Sequence, residues 1–202
     1  MNVEVIVPFG GEDRYRLLAL KTVCDHLRDL PYPFRVVHDL EADRPFSLSR
    51  ARNRGAAESA ADLLVFNDGD TIVPAGQIIL AVGAAKDAPG PVVAFTDYLR
   101  LDRQGQVVAS LHAPPSLGCI AMIRATWEEL PFDERFEGWG YEDCTFNLQA
   151  SKRWPARRVP GIAFHLWHGE RNVDDSPADA DPVLVAANLT RFEEIAHENV
   201  AD

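Results

Sequence analysis

The amino-acid sequence predicts an α/β fold with a mostly parallel central sheet flanked by helices, followed by a smaller and more mixed second half. Three observations predict it. Three short apolar runs in the first half each precede a segment with helical periodicity, polar residues follow each run, and no break in composition divides the 202 residues. Alternating strands and helices imply a parallel sheet with right-handed crossovers. We therefore expect one domain over 1–202, with halves at 1–100 and 101–202.

The first half supplies three strands and three helices. Apolar, β-branched runs that end at Pro or polar residues predict strands at 3–7, 34–37 and 63–66. The helices are expected at 13–30, from Ser47 or Ser49 through Ala60, and from Pro74 to about Lys86. In the first helix one apolar face is expected to contain Leu17, Leu18, Val23, Leu27 and Leu30.

The second half is less regular. Strands are expected at 92–95, 107–110, 118–123 and 162–168, and a helix at about 141–152. Residues 170–182 are rich in Asp and Pro and predict a long loop, which is a candidate lid over a bound ligand or a simple connector. Asp181 or Pro182 then begins a terminal helix that reaches about Asn199.

Composition limits the classes of partner. The formal net charge of −11 argues against a nucleic-acid partner, and a phosphate-bearing substrate would need a divalent cation or clustered arginines. No window approaches the roughly 20 apolar residues of a membrane span, and no basic leader opens the sequence. The three cysteines show no metal-ligand spacing, so we expect free thiols in a cytoplasmic protein.

Two short motifs carry candidate metal ligands. Asp68 and Asp70 bracket a glycine at the end of a buried strand, where they could hold a hard cation or simply cap a turn. His165 and His168 lie three residues apart among aromatic residues, and each is either a metal ligand or a structural hydrogen-bonding residue. Asp70 with both histidines would form a mixed oxygen and nitrogen set that suits Mn²⁺ better than Ca²⁺.

A third motif places an aromatic residue beside two acids. Gly138 and Gly140 flank Trp139 in a turn, and Glu142 and Asp143 open the helix that follows. The acids could be ordinary helix caps. Since Trp139 has no obvious core to fill, we favour a carboxylate base beside a platform on which a sugar can stack.

The helix over 47–60 contains a cluster of arginines. Arg50 and Arg54 lie one turn apart, and both could pair with a diphosphate. Exposed arginines on an alanine-rich helix are common, so this indication is secondary.

Together these motifs resemble the GT-A (Rossmann-like) class of nucleotide-sugar glycosyltransferases. The resemblance is to family 2-like enzymes of the β-1,4-galactosyltransferase and bacterial chondroitin-polymerase type, and it covers most of the chain. It rests on four segments: the first strand Ile6-Val7-Pro8-Phe9, an "ARN-x-G" helix at Ser49–Ala56, a DxD motif at Phe66–Asp70 and a "WG-x-ED" motif at Gly138–Asp143.

The resemblance implies a role for each matching residue. Asp70, His165 and His168 would bind Mn²⁺ or Mg²⁺, Asp143 would be the catalytic base, and Glu142 and Trp139 would bind the acceptor. Contacts to the nucleotide sugar would come from Pro8, Phe9, Arg14 or Arg16, Asp39, Arg50, Arg52, Asn53 and Asp68. Residues 1–100 would then be the nucleotide-sugar-binding half and 101–202 the acceptor and catalytic half.

The expected activity is an inverting transfer of a hexosyl or N-acetylhexosaminyl group, from a UDP-sugar or similar donor, to a glycan, protein or small-molecule hydroxyl. The sequence departs from the family at Gly10-Gly11-Glu12-Asp13, where basic or polar residues are more usual, and at Cys144, where an acid is common. Two alternatives stay open: a non-catalytic nucleotide-sugar or glycan-binding module, and a metal-dependent hydrolase.

Overall fold

The computed structural model describes residues 1–39, 44–170 and 176–198. Within these ranges the strands form two sheets. They are β1 (Val3–Phe9), β2 (Phe34–His38), β3 (Leu63–Asn67), β4 (Thr71–Ile72), β5 (Val92–Val93), β6 (Asp97–Leu101), β7 (Val107–His112), β8 (Cys119–Ile123), β9 (Arg157–Arg158) and β10 (Ile162–His165). The helices are α1 (Arg14–Leu27), α2 (Leu48–Glu58), α3 (Ala75–Asp87), α4 (Arg124–Glu129), α5 (Glu142–Ser151) and α6 (Pro182–Glu198).

The larger sheet has the strand order β2-β1-β3-β8-β5-β9. Its first three strands are parallel, whereas β8 runs antiparallel to both β3 and β5. Every residue of β3 is buried, as expected for a strand covered on both faces. Helix α2 packs closely on β1: a Cβ at Gly55 would lie 2.4 Å from a methyl carbon of Ile6, so only glycine fits there.

The smaller sheet has the order β4-β10-β6-β7. Strand β10 pairs antiparallel with the short β4 and parallel with β6. His165 lies opposite Thr71 on one side and opposite Arg100 on the other. This pairing brings β4, in the first half of the sequence, against a strand of the second half, and it creates the candidate site described below.

The parallel first three strands, the flanking helices and the mixed second half confirm the predicted fold class. The expected burial in α1 is partly wrong: Leu17 and Leu18 are 47% and 59% exposed, and Ala19, Val23 and Leu27 form the buried stripe. Each residue of that stripe is separated from the next by four positions, so the adjacent leucines point away from the core.

Several short elements were absent from the prediction. The predicted strand at 92–95 contains only β5, and β4, β6, β9 and α4 were not anticipated. Strands of two residues, such as β4 and β9, have too little sequence for a period to be read. The predicted strand at 162–168 ends at His165, so His168 follows it in an irregular segment.

Cys24, Cys119 and Cys144 are all free thiols. In the part of the chain that the structure describes, no helix combines the length and apolar character needed to cross a membrane.

Candidate active site

Three predicted metal ligands meet where β4 begins and its partner β10 ends. An Nε2 atom of His168 lies 3.2 Å from a carboxylate oxygen of Asp70, and Nε2 of His165 lies 3.7 Å from the same oxygen. One ligand atom from each residue falls within 4.8 Å of the others. The backbone fixes the arrangement, because the N–H of Leu166 donates to the carbonyl of Asp70 at 2.8 Å.

The electrostatics of this cluster favour an ionised carboxylate. Burial acts to raise the pKa of Asp70, but the nearby charge of His165 and the hydrogen bond from His168 outweigh it and hold the pKa below its ordinary value. The hydroxyl of Thr71 also donates to Asp70, at 3.2 Å. One carboxylate and two imidazoles that converge on one point are donors of the type that Mn²⁺ takes, so the residues fit a divalent cation.

Arg52 connects Asp68, in the predicted DxD motif, to the predicted base Asp143. Its guanidinium donates to Asp143 and to Asp68, each at 2.8 Å, and its side chain is only 1% exposed. The guanidinium also lies over the ring of Phe132, 5.0 Å from its centroid. A single buried cation therefore sets the spacing between the DxD motif and the carboxylate at the start of α5.

Asp143 is held at both carboxylate oxygens. Arg52 donates to Oδ1, and the backbone N–H of Leu117 donates to Oδ2 at 2.8 Å. The adjacent acids are different: burial, supported by the charge of Asp143, raises the pKa of Glu142 to about 7. Burial also raises the pKa of Asp68 to about 7, although the charge of Arg52 opposes the rise. Asp143 thus has one hydrogen-bond donor on each carboxylate oxygen, and the lone pairs that remain can accept a further hydrogen bond.

The turn that carries Trp139 has positive φ angles, one of them at a non-glycine residue, and hydrogen bonds from α6 hold it in place. Gly138 and Gly140 have φ angles of 70° and 106°, and Tyr141 also has a positive φ, of 70°, immediately before α5. The buried side chain of Asn188 on α6 donates to the carbonyls of Glu137 and Trp139, at 2.8 and 3.3 Å. Trp139 itself is 36% exposed. Helix α6 therefore holds this turn while leaving the indole accessible.

The predicted nucleotide-binding residues at the start of the chain lie beside the DxD motif. Pro8 and Phe9 end β1 next to Gly69, where an added Cβ would lie 3.4 Å from the Pro8 carbonyl oxygen and 3.2 Å from the Phe9 ring. Arg14 is exposed at the start of α1. Arg16 instead pairs with Asp13 and Asp179, both at 3.1 Å.

Two other residues predicted to contact the donor bind groups of the protein in this structure. Arg50 is buried, and Asp39 and Glu137 bind its guanidinium at 2.7 Å each. Asn53 donates to the carbonyl of Phe132 and accepts from the indole N–H of Trp127. Both side chains are already engaged in holding α2 to its neighbours.

Arg52 was predicted to contact the nucleotide sugar. In this structure its guanidinium binds the carboxylates of Asp68 and Asp143. Beside α2 there is a separate cavity of about 660 Å³, lined by Asp39, Arg50, Asn53, Trp127 and Phe132 among others, which includes no member of the metal cluster.

Part of the predicted lid cannot be placed, since residues 171–175 lie outside the described part of the chain. At its described end the N–H of Ala178 donates to the carbonyl of Glu170 at 2.9 Å. A small cavity of about 220 Å³ lies here, lined by Asp13, Tyr15, His168, Gly169, Glu170, Ala178 and Asp179. The role of 170–182 as a lid stays a prediction.

Sequence reasoning missed two groups that organise the site. The Leu117 N–H is a backbone group and has no signature in the sequence. Asn188 lies inside α6, where its residue type gave no signal, and only its burial in the structure distinguishes it from the exposed polar residues of that helix.

Comparisons with known proteins agree on the fold. No protein-family model matches the chain, and no curated protein matches its sequence. Among solved structures, the chain is similar to a Drosophila β-1,4-galactosyltransferase 7 with manganese, UDP-Gal and xylobiose (TM-score 0.55, 13% identity, covering 79% of this chain and 65% of that one). It is also similar to a Pyrobaculum calidifontis mannosyltransferase with GDP-Man and Mn²⁺ (TM-score 0.57, 16% identity, covering 85% of this chain and 58% of that one).

A third similar structure is the Mycobacterium tuberculosis glucosyl-3-phosphoglycerate synthase with Mn²⁺, UDP and glucosyl-3-phosphoglycerate (TM-score 0.55, 17% identity, covering 86% of this chain and 74% of that one). The chain spans less than two thirds of the first two structures. At these identities the likeness shows the fold. The chain therefore shares the GT-A fold of nucleotide-sugar glycosyltransferases, as the sequence motifs predicted.

Proposed function

We propose that this chain is a metal-dependent, inverting glycosyltransferase. It would transfer a hexosyl or N-acetylhexosaminyl group from a nucleoside-diphosphate sugar to a hydroxyl of a glycan, protein or small-molecule acceptor. One observation carries the proposal: Arg52 binds Asp143 and Asp68 at 2.8 Å each, so the proposed base lies one guanidinium away from the Asp68-Gly69-Asp70 segment, whose Asp70 converges with two histidines. A UDP-sugar is the first donor to test, because two of the three similar structures contain uridine nucleotides.

Asp70, His165 and His168 would hold the cation, Mn²⁺ by ligand type with Mg²⁺ as a substitute. When bound, a divalent cation neutralises negative charge on the leaving diphosphate. This would let an anionic donor enter a protein with a net charge of −11. The three free thiols suit a reducing compartment such as the cytoplasm.

Asp143 would accept the proton of the acceptor hydroxyl. A carboxylate has about four lone-pair sites, and Arg52 and the Leu117 N–H occupy one on each oxygen, so lone pairs remain for the hydroxyl. The acceptor oxygen then forms a bond to the anomeric carbon as the bond from that carbon to the diphosphate oxygen breaks. The electron pair of the broken bond stays on the diphosphate, and displacement from the opposite face inverts the configuration.

The acceptor would lie between Trp139 and α5. The exposed indole offers an aromatic surface for a sugar ring, and Glu142 at the start of α5 offers a carboxyl group that can donate or accept near neutral pH. On the donor side, Pro8 and Phe9 next to Gly69 would line the nucleotide pocket with Asp68.

The test is incubation of the full chain with Mn²⁺ and a panel of UDP- and GDP-sugars, with detection of released nucleotide. Turnover supports a transferase, whereas binding without turnover would make the chain a nucleotide-sugar or glycan-binding module. Asp143→Asn should abolish transfer and leave donor affinity within about twofold, while Asp29→Asn, the same change at an exposed surface position, should change neither. NMR of the product tests inversion, and an α-linked product from an α-linked UDP-sugar would contradict it.

A further inference from the structure

A nucleotide sugar brings a diphosphate, and three of the arginines predicted to meet it are already bound to carboxylates, whereas Arg14 is exposed. Arg50 and Arg52 each pair with two carboxylates, and Arg16 pairs with Asp13 and Asp179. In a protein with a net charge of −11, a further cation near the metal cluster would therefore matter for any anionic ligand.

Arg103 is such a cation. It lies in the turn between β6 and β7, and its guanidinium is 5.3 Å from the ring centroid of Tyr15 and 5.8 Å from that of Trp167. The two rings pack edge to face with centroids 4.6 Å apart. Aromatic side chains from α1 and from the segment after β10 thus hold an exposed arginine in one place, through the attraction of a cation for aromatic faces.

The ring contacts of Arg103 connect it to the segment that carries the metal cluster. Strands β6 and β10 run parallel, their pairing ends with Arg100 opposite His165, and beyond it Arg103 contacts Trp167. Trp167, one of the two rings under Arg103, directly precedes the metal-cluster residue His168. The other ring, Tyr15, lines the same small cavity as His168.

The hydrogen-bond donors of Arg103 are available. Within 1–39, 44–170 and 176–198 its guanidinium makes no hydrogen bond and no ion pair; its contacts there are the two rings. A guanidinium offers five N–H donors in a planar fork that matches the oxygens of a phosphate or carboxylate. In the described ranges no acceptor or carboxylate meets these donors, so they can bind an anion.

We infer that Arg103 is an anion-binding residue of this site, which takes an oxyanion of a bound substrate next to the metal cluster. The inference rests on the proposed function for the kind of substrate. The oxyanion is a phosphate of the nucleotide donor or an acidic group of the acceptor, and the two share the chemistry that a guanidinium fork recognises. Because the contacts with Tyr15 and Trp167 restrict the side chain before the anion arrives, little conformational entropy is lost when the anion binds.

The test is a calorimetric titration of the full chain in Mn²⁺ with UDP, GDP and pyrophosphate, and with uridine as an uncharged probe. Arg103→Met keeps an apolar side chain beside the rings and removes the charge, whereas Arg103→Lys keeps the charge without the planar guanidinium. The control Lys86→Met removes an equal charge from an exposed position of α3. We expect Arg103→Met to weaken UDP and pyrophosphate about 10- to 100-fold, as for loss of a charge-assisted hydrogen bond, and to leave uridine and Mn²⁺ unchanged. Arg103→Lys should fall between, and Lys86→Met should stay within about twofold.

A second titration separates the two sources of the anion. Glucuronic acid and glucose are added to the chain loaded with UDP and Mn²⁺. If Arg103→Met weakens the binding of glucuronic acid but leaves the nucleotide affinities unchanged, the anion belongs to the acceptor. That result would support the inference. Unchanged affinities for every anion, or a wild-type chain that binds none of them, would overturn it.

The two proposals can fail separately. A wild-type chain that binds pyrophosphate through Arg103 but neither UDP nor GDP would contradict the proposed function and leave Arg103 as an anion site. Wild-type binding of UDP that Arg103→Met does not weaken, with no loss for the acidic acceptor, would contradict only the inference about Arg103. Equal unfolding midpoints for the variants would exclude a folding defect as the cause of any loss.

Discussion

Replacing Arg52 by methionine tests whether one buried cation organises this site. The change keeps an unbranched apolar chain and removes the guanidinium, leaving the carboxylates of Asp68 and Asp143, which are 16% and 15% exposed, without their cation. Two hydrogen bonds to charged groups, at about 1.5–3 kcal/mol each, would give a loss of about 3–6 kcal/mol. Breaking a buried ion pair from one side typically costs about 3–5 kcal/mol. Because Asp68 can take up a proton near neutral pH, we expect the lower end, about 3 kcal/mol.

The assay is urea unfolding of Arg52→Met and wild type at pH 7.5 and pH 5.5. Burial raises the pKa of Asp68, and without Arg52 nothing from that guanidinium opposes the rise, so its folded-state pKa lies above its unfolded one. The stability linked to protonation of Asp68 is therefore present at low pH and lost as the pH rises through the folded-state value. The deficit of the variant should be larger at pH 7.5 than at pH 5.5.

Arg54→Met is the matched control, two residues along the same helix. Arg54 is 58% exposed and pairs with Glu58 on the surface, so its loss should cost about 0.5 kcal/mol or less. Adding Asp68→Asn to Arg52→Met should recover part of the stability, because one uncompensated charge is gone. A deficit for Arg52→Met no larger than that of Arg54→Met, or one that does not grow with pH, would refute the reasoning.

Three further outcomes are expected. His168→Ala removes one of the three residues proposed to bind the cation and should weaken Mn²⁺ binding, measured by calorimetry, at least about tenfold, while an unchanged affinity would mean that the ion binds elsewhere. The pKa of Glu142 is raised to about 7, so its protonated form favours the fold: stability should fall as the pH rises from about 4.5 to 7, and Glu142→Gln should flatten that part of the unfolding profile. Asn188→Ala should raise the acceptor KM more than it changes donor affinity, because it frees the Trp139 turn, whereas Thr190→Ala on the exposed face of α6 should alter neither.

The sequence could predict what depends on local pattern. Buried apolar runs identified β1, β2 and β3, and the rule that parallel strands end at one edge placed Asp68 and Asp70 where a site forms. The spacing of His165 and His168 indicated that both could bind one metal ion, and the structure brings both close to Asp70.

The roles of the arginines could not be read in the same way. A helix position shows which way Arg52 points but not which carboxylates approach it, and its partner Asp143 comes from a distant part of the chain. The same limit applies to Arg103, whose rings belong to α1 and to the segment after β10. Such contacts depend on how the sheets assemble, and single-sequence patterns carry no signal for them.

The insertion of β10 between β4 and β6 has a consequence for the order of events as the chain folds. The metal cluster takes Asp70 from the first half of the sequence and both histidines from the last third, and no pair of ligands from the two parts meets until β10 docks. Contacts of such wide sequence separation form late, after the local elements. A cation that binds the completed cluster would therefore change the folding rate little and would chiefly lower the unfolding rate.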